Sequence, residues 1–122
     1  MILGLDHVQL IAPPGAEAQA RRFYGELLGL PEIPKPTGVA ATGGAWFRCG
    51  AQQLHIGIDR EFAPARRAHP GLAVTAAKLD AFAARLGAAG CEVQWDTRIP
   101  ERRRFYVADP WGNRVEITEP SP

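Results

Sequence analysis

The sequence predicts an α+β fold of two βαβββ modules with mixed sheets. Three observations predict it. The order strand, helix, strand, strand, strand occurs twice along the chain, and self-similarity at such a spacing signals a duplicated unit. Each half carries one stretch of helical apolar period. Each half then closes on short alternating strands separated by turn residues.

Module one covers about 1–59. His7 to Ala12 alternates as a strand,. Ala16 to Leu28 reads as a helix whose core face is Ala20, Phe23, Tyr24 and Leu27,. Gly29 follows it, where a residue that tolerates a left-handed backbone ends a helix,. Strands follow around Pro31 to Ile33, Ala45 to Cys49 and Gln53 to Ile58, the last two joined by a loose turn at Gly50-Ala-Gln52,. Asp59 to Ala68 is polar, contains Pro64 and serves as the linker, about 60–68,.

Module two covers about 69–120. Its strand is His69 to Thr75, and its helix is Leu79 to Ala89, with Leu79, Phe82, Ala83 and Leu86 on one face and Gly90 as the stop,. Strands follow around Cys91 to Asp96, Arg104 to Ala108 and Arg114 to Thr118, and Asp109-Pro-Trp-Gly-Asn113 is the tight turn before the last,. One module alone leaves a sheet with a single helix on one face, so the second copy is its natural partner and 1–122 is expected to form a single domain,.

Composition excludes several classes. Charged residues make up 22% of the 122 and hydrophobic ones 46%, an ordinary globular balance,. A net charge of +1 offers no general attraction to nucleic acid or anionic membrane,. No apolar run reaches the roughly 18 residues that span a bilayer. With no basic segment leading a long apolar one at its start, the expectation is a cytoplasmic protein. Cys49 and Cys91 lie in apolar strand-like stretches and are expected to be buried, reduced and structural,.

Side chains of a strand alternate between faces, so parity decides which residues share a surface. Val8 and Leu10 form one face of the first strand, His7 and Gln9 the other. Leu54, Ile56 and Ile58 point to the core, leaving His55 on the opposite face. Leu72 and Val74 oppose His69, and Val115 and Ile117 oppose Arg114, Glu116 and Thr118. All three histidines and one glutamate thus lie on the face that the helices leave bare. His69 stands 62 residues after His7 and Glu116 stands 61 after His55, which makes two pairs of equivalent positions. Imidazole and carboxylate donors at His7, His55, His69 and Glu116 suit one divalent ion, Zn²⁺, Ni²⁺, Co²⁺, Mn²⁺ or Fe²⁺. A lone strand histidine is more often a surface or hydrogen-bonded residue; joint placement on one face carries the metal reading.

Four stretches resemble the vicinal oxygen chelate superfamily, which includes glyoxalase I, fosfomycin-resistance transferases, bleomycin-resistance binding proteins, extradiol dioxygenases and methylmalonyl-CoA epimerases. They are Leu5-Asp-His-Val; Arg22-Phe-Tyr-Gly-Glu-Leu-Leu-Gly-Leu30; Leu79-Asp-Ala-Phe-Ala-Ala-Arg-Leu with Ala89-Gly-Cys-Glu-Val93; and Phe105-Tyr-Val-Ala-Asp-Pro-Trp-Gly-Asn-Arg-Val-Glu-Ile117. The last is the most specific, since it fixes both a turn and the glutamate. The resemblance implies the glyoxalase/bleomycin resistance/dioxygenase fold, with curled sheets around an open cleft. It also implies metal ligands at His7, His55, His69 and Glu116, or at three of them with His55 on the substrate. It implies a homodimer with clefts completed across the interface, His7 coming from one chain and His69 and Glu116 from the other. Metal-dependent members act on small molecules with vicinal oxygens, and the same scaffold serves isomerisation, thiol addition, epimerisation and ring cleavage. In a glyoxalase-like member Glu116 would be the catalytic base. The run Val74-Thr-Ala-Ala-Lys78 is about two residues longer than the family's and lacks its aspartate, and an even insertion keeps His69 on its face,.

Further substrate contacts are expected at Gln9, beside His7 on the same face, at Trp46 and at Tyr106. Trp46 and Phe47 must face opposite ways, one into the core. Tyr106 is either an acid-base group or a packed aromatic. Arg98, Arg102, Arg103 and Arg104 cluster near the face, with Arg66 and Arg67 in the linker. Scattered arginines are usually solvated; the functional alternative is that Arg104 or a neighbour grips an anionic substrate bidentately. Trp111 reads as turn packing. The rival to a metal enzyme is a metal-free drug-binding protein of the bleomycin-resistance kind, which has no need of three histidines and a glutamate on one face. A structural or regulatory domain with a vestigial cleft is the third reading.

Overall fold

The computed structural model describes all 122 residues, in two compact units that divide between Pro64 and Ala65. In the first, β1 (His7–Ala12) leads to α1 (Glu17–Ala20), which runs on as a π-helical segment (Arg21–Leu27). Then come β2 (Glu32–Ile33), a 3₁₀ turn (Thr37–Thr42), β3 (Ala45–Cys49) and β4 (Gln52–Ile58). The second unit holds β5 (Gly71–Ala73), α2 (Ala76–Ala88), β6 (Gln94–Asp96), β7 (Arg104–Ala108) and β8 (Arg114–Thr118). Each is βαβββ, as the repeat predicts.

Both sheets have four strands and the same order, β1-β4-β3-β2 and β5-β8-β7-β6. The first strand of each pairs parallel with the last, and the remaining pairs are antiparallel. In the first sheet Gln9 lies opposite His55, which lies opposite Trp46. In the second, Gly71 lies opposite Glu116, which lies opposite Tyr106.

Parity sorts the core as expected. In the first unit Leu10, Phe47, Leu54 and Ile56 are buried together with Ala20, Phe23 and Tyr24 of the helix, and Tyr24 reaches within 6.0 Å of Phe47, ring to ring. Trp46, on the other side of β3, is half-buried. One helical expectation shifts by a residue: Leu28 is buried and Leu27 only partly so. The cause is the π turn, in which the Leu28 amide donates to the Phe23 carbonyl five residues back at 2.9 Å, so the core face advances one position beyond the α period,. Gly44 fixes the entry to β3. Its φ is +83°, and a Cβ there would stand 2.0 Å from the Ile56 carbonyl oxygen,. Its amide donates to Glu17 Oε2 at 2.7 Å, which holds that carboxyl below its ordinary value and ties the loop to α1.

In the second unit Leu79 and Leu86 of α2 are buried with Phe105, Val107, Val115 and Ile117. The turn before β8 is knotted by Asp109, whose Oδ1 accepts from the Trp111 and Asn113 amides at 3.1 and 2.8 Å and whose Oδ2 accepts from Asn113 Nδ2 at 2.9 Å. Asn113, wholly buried, accepts the Ala65 amide on Oδ1 at 2.8 Å, while the Ala65 carbonyl accepts from Arg114. The end of the expected linker is therefore stitched into module two.

Three elements depart from the sequence expectation by more than one residue. Strand β5 is shorter than His69 to Thr75, because Pro70 has no amide hydrogen, although its carbonyl still accepts from Glu116,. Helix α2 begins at Ala76 rather than Leu79, drawing in two alanines that form helix readily without an apolar face,. Strand β6 begins at Gln94, which leaves Cys91 outside it. Cys49 and Cys91 are unpaired, as expected, but only half-buried; burial raises both thiol pKa values. No helix is long and apolar enough to cross a membrane.

Candidate functional site

The exposed end of β1 carries His7, whose Nδ1 lies 2.8 Å from Asp6 Oδ2. A carboxylate only accepts, so Nδ1 bears the hydrogen, and Nε2 is the nitrogen whose lone pair a neutral ring offers. His7 stacks on His55, ring centroids 4.3 Å apart and planes 16° from parallel. His55 stacks in turn on Trp46 at 3.6 Å and 4°. Buried in this sandwich, with Nε2 2.8 Å from Gln53 Oε1, His55 has its pKa lowered by burial first and by the neighbouring His7 second, Asp6 opposing. Imidazole binds metal through in-plane lone pairs. Those of two stacked rings run side by side rather than converging, so His55 and His7 do not share an ion in this arrangement. Of the four expected ligands, His55 is the one whose geometry argues for a supporting place. Gln9 lies in register beside it, its amide over Gly57, where a Cβ would come within 2.7 Å of Gln9 Nε2.

The second module holds a tighter pair. His69 Nδ1 lies 2.6 Å from the Arg67 carbonyl oxygen and Nε2 lies 3.0 Å from Glu116 Oε1. The carbonyl can only accept, so Nδ1–H is committed to it. An otherwise neutral ring then presents a lone pair to a carboxylate, and that contact holds only with a cation shared there: a second proton or a metal ion. A histidine whose far nitrogen is fixed by a carbonyl, facing a buried carboxylate, fits the donor set of a divalent transition metal. His7 likewise has its Nδ1 fixed, here by the exposed Asp6 carboxylate, which leaves Nε2 as its donor to an ion,. No group of three or more His, Cys, Asp and Glu side chains closes to metal-binding geometry in the chain; the expected ligands stand as two pairs, His7 with His55 and His69 with Glu116.

Glu116 is buried and flanked by Arg104, whose Nη1 lies 3.4 Å from both its oxygens and whose Nη2 lies 3.5 Å from Asp96 Oδ1. Two carboxylates thus share the guanidinium of Arg104, the residue expected to grip an anionic substrate. Asp96 is held well below the usual carboxylate range, chiefly by the Arg98 side chain and amide. Tyr106 is a packed aromatic: His69 meets its ring edge-on at 5.4 Å, and the guanidinium carbons of Arg114 and Arg104 lie 4.6 and 5.6 Å from its centroid. In front of these groups a groove of about 520 Å³ is lined by His69, Tyr106, Trp95, Arg67, Arg98 and Arg114 among others. Sequence reasoning assigned no role to Arg114 or Trp95. The signal for Arg114 was present, since it shares the face of Glu116 two residues earlier.

A family profile described as a glyoxalase-like domain matches residues 12–118. The chain belongs to the glyoxalase-like domain family. Among solved structures, a protein from Bacillus anthracis assigned to the glyoxalase family is 50% identical, with a TM-score of 0.94 over 99% of this chain and 98% of its own. The fosfomycin-resistance protein FosX from Listeria monocytogenes (20% identical, TM-score 0.79, 99% and 96% covered) and a lactoylglutathione lyase from Agrobacterium tumefaciens (24%, 0.74, 97% and 94%) share the fold. A variant of the Listeria protein, 18% identical with a TM-score of 0.78 over 99% and 95%, is complexed with Mn(II) and 1S,2S-dihydroxypropylphosphonic acid. No curated protein matches the chain in sequence. The glyoxalase-like chain thus has the fold of the vicinal oxygen chelate superfamily, as its closing Asp109 to Ile117 stretch implies.

Proposed function

We propose that this glyoxalase-like protein is a divalent-metal-dependent enzyme acting on a small molecule with adjacent oxygens, with His7, His69 and Glu116 as the ligands. One observation carries the reading: His69 Nε2 and Glu116 Oε1 face each other at 3.0 Å with Nδ1 already committed to the Arg67 carbonyl. When bound, the ion (Zn, Ni, Mn, Fe or Co) supplies Lewis-acid polarisation of the substrate's oxygens. The chain's own residues do the rest. Asp6 and the Arg67 carbonyl orient the two imidazoles, and Arg104 holds the Glu116 carboxylate in place. Glu116 is the group suited to take a proton from carbon beside a polarised carbonyl. Gln9 and Trp46 contact substrate from the first module and Tyr106 walls it in the second.

The ligands divide between the modules, and β1 and β5 are both edge strands of their sheets. Edges with unpaired backbone groups invite a partner strand. A homodimer in which one copy supplies His7 and the other His69 and Glu116 follows, each pair of modules acting as one domain; a monomer at micromolar concentration in sedimentation would remove it. Two unpaired thiols suit a reducing cytoplasm,.

Elemental analysis and calorimetry on protein prepared without chelator test the metal. Near-stoichiometric transition metal, lost in His69→Ala and in Glu116→Gln, is the expected result. No binding after loading with each of the five ions overturns the reading and leaves a metal-free binding protein in its place.

A further inference from the structure

The groove of module two carries more positive charge than its own carboxylates balance. Of its three arginines, Arg98 is matched by Asp96, its Nε lying 3.1 and 2.8 Å from the two carboxylate oxygens. Arg67 and Arg114 enter no salt bridge of the chain. Arg114 is half-buried and rests on the Tyr106 ring at 4.6 Å, a stacking that steadies the guanidinium while leaving its in-plane N–H donors free,. The other negative group nearby, Glu116, has Arg104 against both its oxygens and His69 against one, so little of its charge reaches the groove. A guanidinium on an aromatic face, with donors open and no carboxylate of its own, is suited to a planar or tetrahedral oxyanion.

We propose that this groove is an oxyanion subsite in which Arg114, seconded by Arg67, takes a carboxylate or phosphate-like head group and so fixes which substrates reach His69 and Glu116. The inference rests on the reading of His69 and Glu116 as the reacting centre. Arg114 and Glu116 are two residues apart on one face of β8, roughly 7 Å along the strand. The substrate is therefore a short one, its anionic head only a few bonds from the oxygens that react.

The test uses metal-free protein, so that an anion cannot report on a bound ion, and follows the Trp95 indole N–H signal by NMR. Inorganic phosphate is titrated in one series and acetate in another. A saturable shift is expected with at least one of them, and the tighter of the two names the head group. Affinity should fall about tenfold or more in Arg114→Gln and several-fold in Arg67→Gln. It should stay unchanged in Arg66→Gln, a linker arginine outside the groove. Arg114→Lys, which keeps the charge but loses the fork, should lie between. No saturable shift with either anion, or wild-type affinity in folded Arg114→Gln, overturns the proposal. Should Arg114→Gln fail to fold, Arg67→Gln, exposed and touching His69 only through its backbone, decides by the same criterion. Loss of metal binding in Glu116→Gln is a separate readout, so either reading can fail while the other stands.

Discussion

The two modules share one backbone plan and differ in what occupies it. His55 and Glu116 hold the same register position, as do Trp46 and Tyr106, and Gln9 and Gly71. In module one the position is filled by a stack of three rings, His7 on His55 on Trp46. In module two it is filled by an ion network of His69, Glu116, Arg104 and Asp96. The duplication preserved where side chains point and not what they are. One copy provides an oriented imidazole, and the other provides the carboxylate and a cationic groove.

Glu116→Gln should break this contrast most. It removes the charged donor and leaves the guanidinium of Arg104 short of a partner, so metal affinity by calorimetry should fall by more than the roughly 10 to 100-fold typical of a supporting residue. A fall within that range would mean that Glu116 supports the ion rather than binding it. The turns come next. Asn113→Ala strands the Ala65 amide and removes the side-chain bond that knots the turn to Asp109, and should cost about 2 to 3 kcal/mol in urea unfolding,. At the matching turn of module one, Gly50→Ala meets nothing within 4 Å and suffers only from its φ of +60°, so about 1 kcal/mol is expected. Equal costs would show that the two turns are equally knotted.

The smallest effect is the pH response of module one. Burial lowers the His55 pKa, whereas in the unfolded chain it titrates at about 6.5,. The stability this contributes is full above that value and declines as pH falls through it towards the folded value. In metal-free protein the urea midpoint should drop between about pH 7.5 and 5.5, and drop less in His55→Phe, which keeps the stack but cannot titrate. Identical drops would show that His55 takes no part.

Much of this was legible beforehand where one face of a strand is apolar. The bounds of β1, β3, β7 and β8 agree with the sequence expectation to the residue. Parity also put His69 and Glu116 on one face, where they touch. It could not foresee the ring stack, because alternation gives the side of a sheet and not the plane of an imidazole. The shift from Leu27 to Leu28 escaped because the π turn comes from an extra residue in the helical hydrogen-bond ladder, which no apolar period of 3.6 encodes,. The ion pairs of Arg104 are not visible in the sequence because its partners, Asp96 and Glu116, lie on two other strands and meet it only through cross-strand register.

The parallel pairing of β1 with β4, and of β5 with β8, bears on how the chain is made. Each opening strand finds its hydrogen-bonding partner only in the closing strand of its own module, and contacts so distant in sequence form late because the intervening loop must first be closed. During synthesis β1 therefore has no strand to pair with until β4 has left the ribosome. Module one can then close at Ile58 while the whole of module two is still to be made.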